Sequence, residues 1–160
     1  WDRNYLEDIM KIIKKIFLAV VMLFAFASCM SSPINLTGSV APINSSQKKI
    51  LVAYYPEHAG KWRSDLETSF GIRKWKINEI SFWEVEQTNL RKRSETFLIV
   101  VDKMIKENRQ SMLGGTFFSG NISVYDLRTG NKIINYNLST EESFDVTTRL
   151  AKALGGLVTK

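Results

Sequence analysis

The chain holds few groups from which a reactive centre could be built: one cysteine, one histidine and 16 Asp and Glu residues in 160. Cys29 directly follows an apolar segment and Ser28, so the chemistry open to it is lipidation at a processing site rather than catalysis. His58 stands alone, which rules out multi-histidine metal sites and weakens any Ser-His or Cys-His pairing. Beside Pro56 and Glu57, at the start of a predicted helix, it reads as a surface residue. Ser45-Ser46-Gln47-Lys48 matches the Ser-x-x-Lys spacing of serine–lysine nucleophiles. That pair must open a helix inside a cleft, and here it falls in a polar stretch with no partner motif. Glu84 and Glu86 lie two apart on an expected strand and share its face, the least that paired-carboxylate chemistry requires. Nothing around them promises desolvation. Asp126, ahead of Arg128-Thr129-Gly130, is placed to accept hydrogen bonds from turn amides. No phosphate-binding glycine loop and no metal-ligand cluster is present. The chain therefore reads as non-enzymatic, with no catalytic residue, metal or cofactor expected.

The cysteine is better explained by what precedes it. Lys11, Lys14 and Lys15 form a positive start, and Ile16 to Ala27 is an uncharged apolar run ending at Ser28 and Cys29. This is the layout of a secretory signal. A membrane-spanning helix needs roughly 20 apolar residues unless its flanking lysines snorkel. A plain cleaved signal would leave an odd thiol in an oxidising compartment. Phe26-Ala27-Ser28-Cys29 resembles the lipobox of bacterial lipoproteins, with Phe26 where Leu is more usual. The resemblance implies a lipid on Cys29, and two or more chains anchor a protein stably. Met30, rather than Asp, after the cysteine points to the outer membrane, facing the periplasm. Residues 1–9, with Glu7-Asp8 ahead of the positive charge, do not suit a signal and read as upstream sequence before an initiator at Met10. The expected layout is thus a signal at 10–28, the lipidated cysteine and a flexible tether at 29–47, and a globular domain at 48–160.

The formal net charge is +6. Basic clusters stand at Arg73-Lys74-Lys76 and at Arg91-Lys92-Arg93. Such patches can bind nucleic acid, but an extracytoplasmic protein meets acidic lipid, lipopolysaccharide or peptidoglycan instead, so no nucleic acid partner is expected. Met30 to Gln47 is rich in Ser, Asn, Pro and Gly and carries no charge. Read as a coil, it would reach on the order of 20–25 Å.

The elements that must position any site follow from periodicity. Ile50 to Tyr55 is a continuous apolar run, the mark of a buried strand. Ala59, Trp62, Leu66 and Phe70 recur at helical spacing, with Gly71 as a stop. Ile72 to Glu86 turns towards strand, with Ile80 and Phe82 on one face and Trp83 and Val85 on the other. Gln87 to Glu95 reads as a loop carrying Arg91, Lys92 and Arg93. Thr96 to Val101 favours strand, although Phe97, Val101, Met104 and Ile105 also fit a helical stripe. A hairpin follows: Ile122 and Val124, a turn at Arg128-Thr129-Gly130-Asn131, then Ile134, Tyr136 and Leu138 on one face. Ser143 can cap a closing helix whose stripe includes Val146, Leu150 and Leu154. The order β-α-β-β-β-β-α gives an α/β (α+β) domain: one small sheet of four to five strands with two helices packed against it.

The stretch from Gly120 to Lys132, GNISVYDLRTGNK, followed by a strand and the helix Thr148-Arg149-Leu150-Ala151-Lys152-Ala153-Leu154, is similar to small envelope lipoproteins of the curli-secretion type. It also resembles the N-terminal domain of the Tol translocation protein and lipoprotein activators of penicillin-binding proteins. The resemblance implies an α/β domain that opens with a strand such as Ile50 to Tyr55. Together with the lipidation signal, it implies an accessory protein anchored in the envelope, docked on a secretion, transport or cell-wall assembly or forming a homo-oligomer. Trp, Tyr and Arg dominate interface hot spots, so Trp75, Trp83 and Tyr125 with Arg91, Lys92 and Arg93 are the expected contact set. The alternative is a monomeric lipoprotein that binds an anionic glycan or lipid through its basic patch.

Overall fold

A computed structural model describes residues 33–86, 89–110 and 115–159. Cys29 and the signal segment lie outside the described residues. The elements run β1 (Lys49–Tyr54), α1 (Ala59–Gly71), β2 (Lys76–Ser81), β3 (Phe97–Val101), β4 (Ile105–Gln110), β5 (Thr116–Asp126), β6 (Asn131–Glu142) and α2 (Ser143–Gly155). Among the described residues the fold is the expected α/β type, one sheet with two helices, but the sheet has six strands. The additional strand is β4. The apolar stripe from Phe97 to Ile105 that also fits a helix is instead two strands, split after Val101.

β1 is an interior strand, next to the β2 edge and parallel to both neighbours, with Ile50 opposite Ile77 of β2 and Phe97 of β3. β5 runs antiparallel to β3 along Ile122–Asp126 and to β4 along Thr116–Ser119. Its other edge carries β6. Alternation along β1 and β3 divides the core. Ile50, Val52, Phe97 and Ile99 meet Trp62, Leu66, Phe70, Val146, Leu150 and Leu154 of the helices. Leu51, Ala53 and Leu98 point to the opposite face and are equally buried. Among the described residues no helix covers that second face. Residues 82–86 and 89–93, with single 3₁₀ turns at Phe82–Glu84 and Leu90–Lys92, do so in part.

The helix pair is tied by buried polar groups. Asp65 of α1 accepts from Lys61 at 2.8 Å and from the hydroxyl of Ser143. Ser69 and Thr147 share a hydrogen bond of 2.9 Å. Ser143 is thus the first residue of α2 and spends its hydroxyl on α1 rather than capping its own helix.

Two sequence expectations need correction here. The strand expected over Ile72 to Glu86 is only Lys76–Ser81, and the chain then turns. Ile80, Phe82 and Val85 consequently pack together on the helix-free face instead of alternating across a strand. The tether expected over 29–47 is not free from residue 34 onward. Ile34 and Ile43 are buried, and the Thr37 amide donates to the Ile133 carbonyl at 2.7 Å. Arg128, held by Asp126 at 2.7 Å, donates to the Ala41 carbonyl at 2.9 Å. Ile43 bonds the C-terminal segment through Leu157 and Thr159 at 2.9 and 2.8 Å. A polar composition concealed sparse apolar residues that complete the core.

Candidate functional site

The helix-free face is not closed. Between residues 82–86 and 89–91 on one side and strands β3 and β5 on the other lies a cleft of about 690 Å³, within the range of ligand sites. Its floor is Leu98, Val100, Tyr125 and Leu127, and its wall is Phe82, Trp83, Val85 and Leu90. Glu86, Asn89 and Arg91, all exposed, stand at the rim with Gly130. The turn after Ser81 creates the wall: it carries Phe82 and Val85 inward and leaves Trp83 outward, 61% exposed. The indole is braced rather than loose. Tyr55, Phe82 and Trp83 pack as an edge-to-face trio with centroids 5.3–5.7 Å apart.

The basic loop is built into the same face. Arg91 Nη2 donates to the Thr129 carbonyl at 3.3 Å and lies against Gly130. Gly130 has φ +80°, and a Cβ there would come within 3.0 Å of Arg91 Nη2. The turn therefore favours glycine, and a side chain there would also push on the arginine. Lys132 Nζ stands 5.4 Å from the centre of the Tyr125 ring. Arg93 serves the fold instead, since it pairs with buried Glu95 at 3.2 Å, and Asn78 donates to the same carboxylate at 2.6 Å. Burial pushes the Glu95 carboxyl up, but the hydrogen bonds from Arg93 and Asn78 outweigh it and hold the group below the ordinary glutamate range.

Of the expected contact set, Trp83, Tyr125 and Arg91 meet at one cleft, and Lys92 is exposed beside it. Trp75 does not belong there. It is 5% exposed, folded back after α1 against Phe70 and Phe97, and is part of the core. Cys29 lies outside the described residues. The sequence reading missed Phe82, Val85, Leu90, Leu98, Val100 and Leu127 as lining. A signal for them existed: the unbroken run Phe97-Leu98-Ile99-Val100-Val101 has no polar face, so something apolar had to cover each side.

Among the described residues the buried carboxylates are all occupied structurally: Asp65 by Lys61 and Ser143, Glu95 by Arg93 and Asn78, Asp126 by Arg128. The His58 ring lies 5.5 Å from that of Phe118, with Glu57 3.9 Å away. Lys48 donates to the Arg73 carbonyl and stands over Trp75 at 5.8 Å. Among the described residues no group of three His, Cys, Asp or Glu side chains could hold a metal ion. Beyond the cleft, a crevice of about 550 Å³ opens at the carboxyl ends of β1 and β2. It holds the bidentate Arg63–Glu79 pair at 2.6 and 2.9 Å. The buried Tyr54 ring also lines it, its hydroxyl pushed well above the usual range by burial and then by Glu79.

No family model matches the chain, and no curated protein matches it. Among solved structures, it is similar to a PelC dodecamer from Paraburkholderia phytofirmans, with 18% identity and TM-score 0.45 over 79% of this chain and 98% of that one. A variant of the same PelC dodecamer gives 14% identity and TM-score 0.47 over 78% and 96%. A minor lipoprotein from Acinetobacter baumannii gives 9% identity and TM-score 0.43 over 69% and 92%.

Proposed function

We propose that this protein is a lipid-anchored, non-catalytic accessory subunit of the bacterial envelope that docks on a secretion, transport or cell-wall assembly through the helix-free face of its sheet. The observation that carries the reading is Trp83, braced upright and 61% exposed on the rim of an apolar cleft. Covering the exposed part of an indole is worth about 3 kcal/mol in removed apolar area. The fitting partner presents an apolar side chain flanked by acid, since Arg91, Lys92 and Lys132 have no carboxylate partner among the described residues. Anchoring through Cys29 would raise the local concentration of two weakly binding proteins on one membrane. Among the described residues the buried carboxylates Asp65, Glu95 and Asp126 are each taken up by structural hydrogen bonds, which supports a non-catalytic role.

The test is the native mass of the chain expressed from Met10 in a bacterial envelope and extracted in mild detergent. An assembly that dissociates with Trp83→Ala or Arg91→Glu is the expected result. A bare lipidated monomer would sink the docking reading, and a protein with unmodified Cys29 would sink the anchor.

A further inference from the structure

We propose that the cleft takes the hydrocarbon chain of a single-tailed anionic amphiphile, a long-chain carboxylate, with its head group at Arg91 and Lys132. The proposal rests on the helix-free face being the working surface and names what sits in its cleft. The floor is apolar and buried at Leu98 and Leu127, while the charged side chains of the lining, Arg91 and Glu86, are exposed. A sugar or nucleotide needs polar groups in the walls, and here they gather at the rim. The charge is also uneven along β3. Leu98 lies beside Tyr125 of β5, the ring over which Lys132 stands, near the turn that supports Arg91. Val100, two residues on, lines the same cleft as Phe82 and Trp83. One end is therefore cationic and the other aromatic and apolar, which orients an amphiphile head to tail. Glu86 is the one carboxylate on the lining, so a cationic or zwitterionic head gains less there than an anionic one.

The experiment uses the full chain in phosphatidylcholine nanodiscs with a diazirine-bearing long-chain carboxylate as the photoreactive probe. Cross-links are expected on the peptides carrying Leu98–Val100 and Tyr125–Leu127, and excess unlabelled carboxylate should remove them. Competitors of increasing length should improve about fourfold per added methylene and then level off when the cleft is full. An uncharged alcohol of equal length should compete about tenfold less well, for want of the charge-assisted contact. Val100→Trp, which fills the cleft, and Arg91→Glu, which reverses the rim charge while leaving the core intact, should each cut labelling about tenfold. Labelling spread over the α1 and α2 face, equal competition by the alcohol, or wild-type labelling of both variants would overturn the assignment. If the probe leaves the cleft unlabelled while Trp83 cross-links to a protein in intact envelopes, the cleft belongs to that partner. The amphiphile is then excluded and the docking reading stands.

Discussion

Trp83 and Trp75 are eight positions apart and share a residue type, yet their surroundings give them opposite roles. Trp75 is spent on the core. Trp83 is held by Phe82 and Tyr55 with its outer face exposed, where it can add area to the proposed interface. Trp83→Ala removes two edge-to-face ring contacts and should cost about 1–2 kcal/mol in denaturant unfolding while the fold persists. The same change should weaken partner binding by about 2–3 kcal/mol, read by titration once the partner is in hand. Glu95 provides a second expectation. Its carboxyl ionises at lower pH in the folded chain than in the unfolded one. The unfolded state therefore binds more protons across that interval, and the stabilising contribution, complete at neutral pH, is lost as pH falls through the lowered folded value. Melting curves between pH 7 and pH 3 should fall below about pH 4.5, and more shallowly for Glu95→Gln. That variant should be less stable at pH 7, because Arg93 and Asn78 lose their anionic acceptor; parallel curves for the two proteins would show that the pair contributes nothing.

At the scale of elements, the two helices are joined by chemistry as much as by packing. Asp65→Ala strips the acceptor from Ser143 and Lys61 and should cost about 2–3 kcal/mol in urea unfolding, with helix content unchanged in the folded baseline. This link was not legible in the sequence. Asp65 and Ser143 are far apart along the chain, and each has an ordinary local reading, one as a solvated helix residue and the other as a cap. What was legible followed from unbroken local patterns. The apolar run at Ile50 marks the buried strand β1, the 3.6-residue stripe ending at Gly71 marks α1, and the Thr129-Gly130 turn marks the hairpin. The cleft was half legible. Trp83, Tyr125 and Arg91 were picked out by residue type, whereas Phe82, Val85 and Leu90 cover the sheet from irregular chain that has no period to recognise. Gly130→Ala tests the join between loop and hairpin. A side chain at φ +80° against Arg91 should cost about 1–2 kcal/mol in denaturant unfolding and release the arginine from the rim.

On the scale of the whole molecule, the segment from Ile34 to Ile43 is part of the fold, although its composition resembles that of a linker. Ile43→Ala should cost about 3 kcal/mol in denaturant unfolding, where a residue in a free leash would cost nothing. Arg128→Ala should loosen the same segment, seen as faster hydrogen exchange at the Thr37 and Ile43 amides, because the guanidinium joins Asp126 to the Ala41 and Pro42 carbonyls. The arrangement also has a mechanical side. A pull on the chain ahead of Ile34 meets its attachments in series: the Thr37–Ile133 bond, then the Arg128 clamp, then the two bonds that lock Ile43 to the C-terminal segment. Tension would load these fastenings one at a time before it reached β1, so the strap is the first part of the fold to yield.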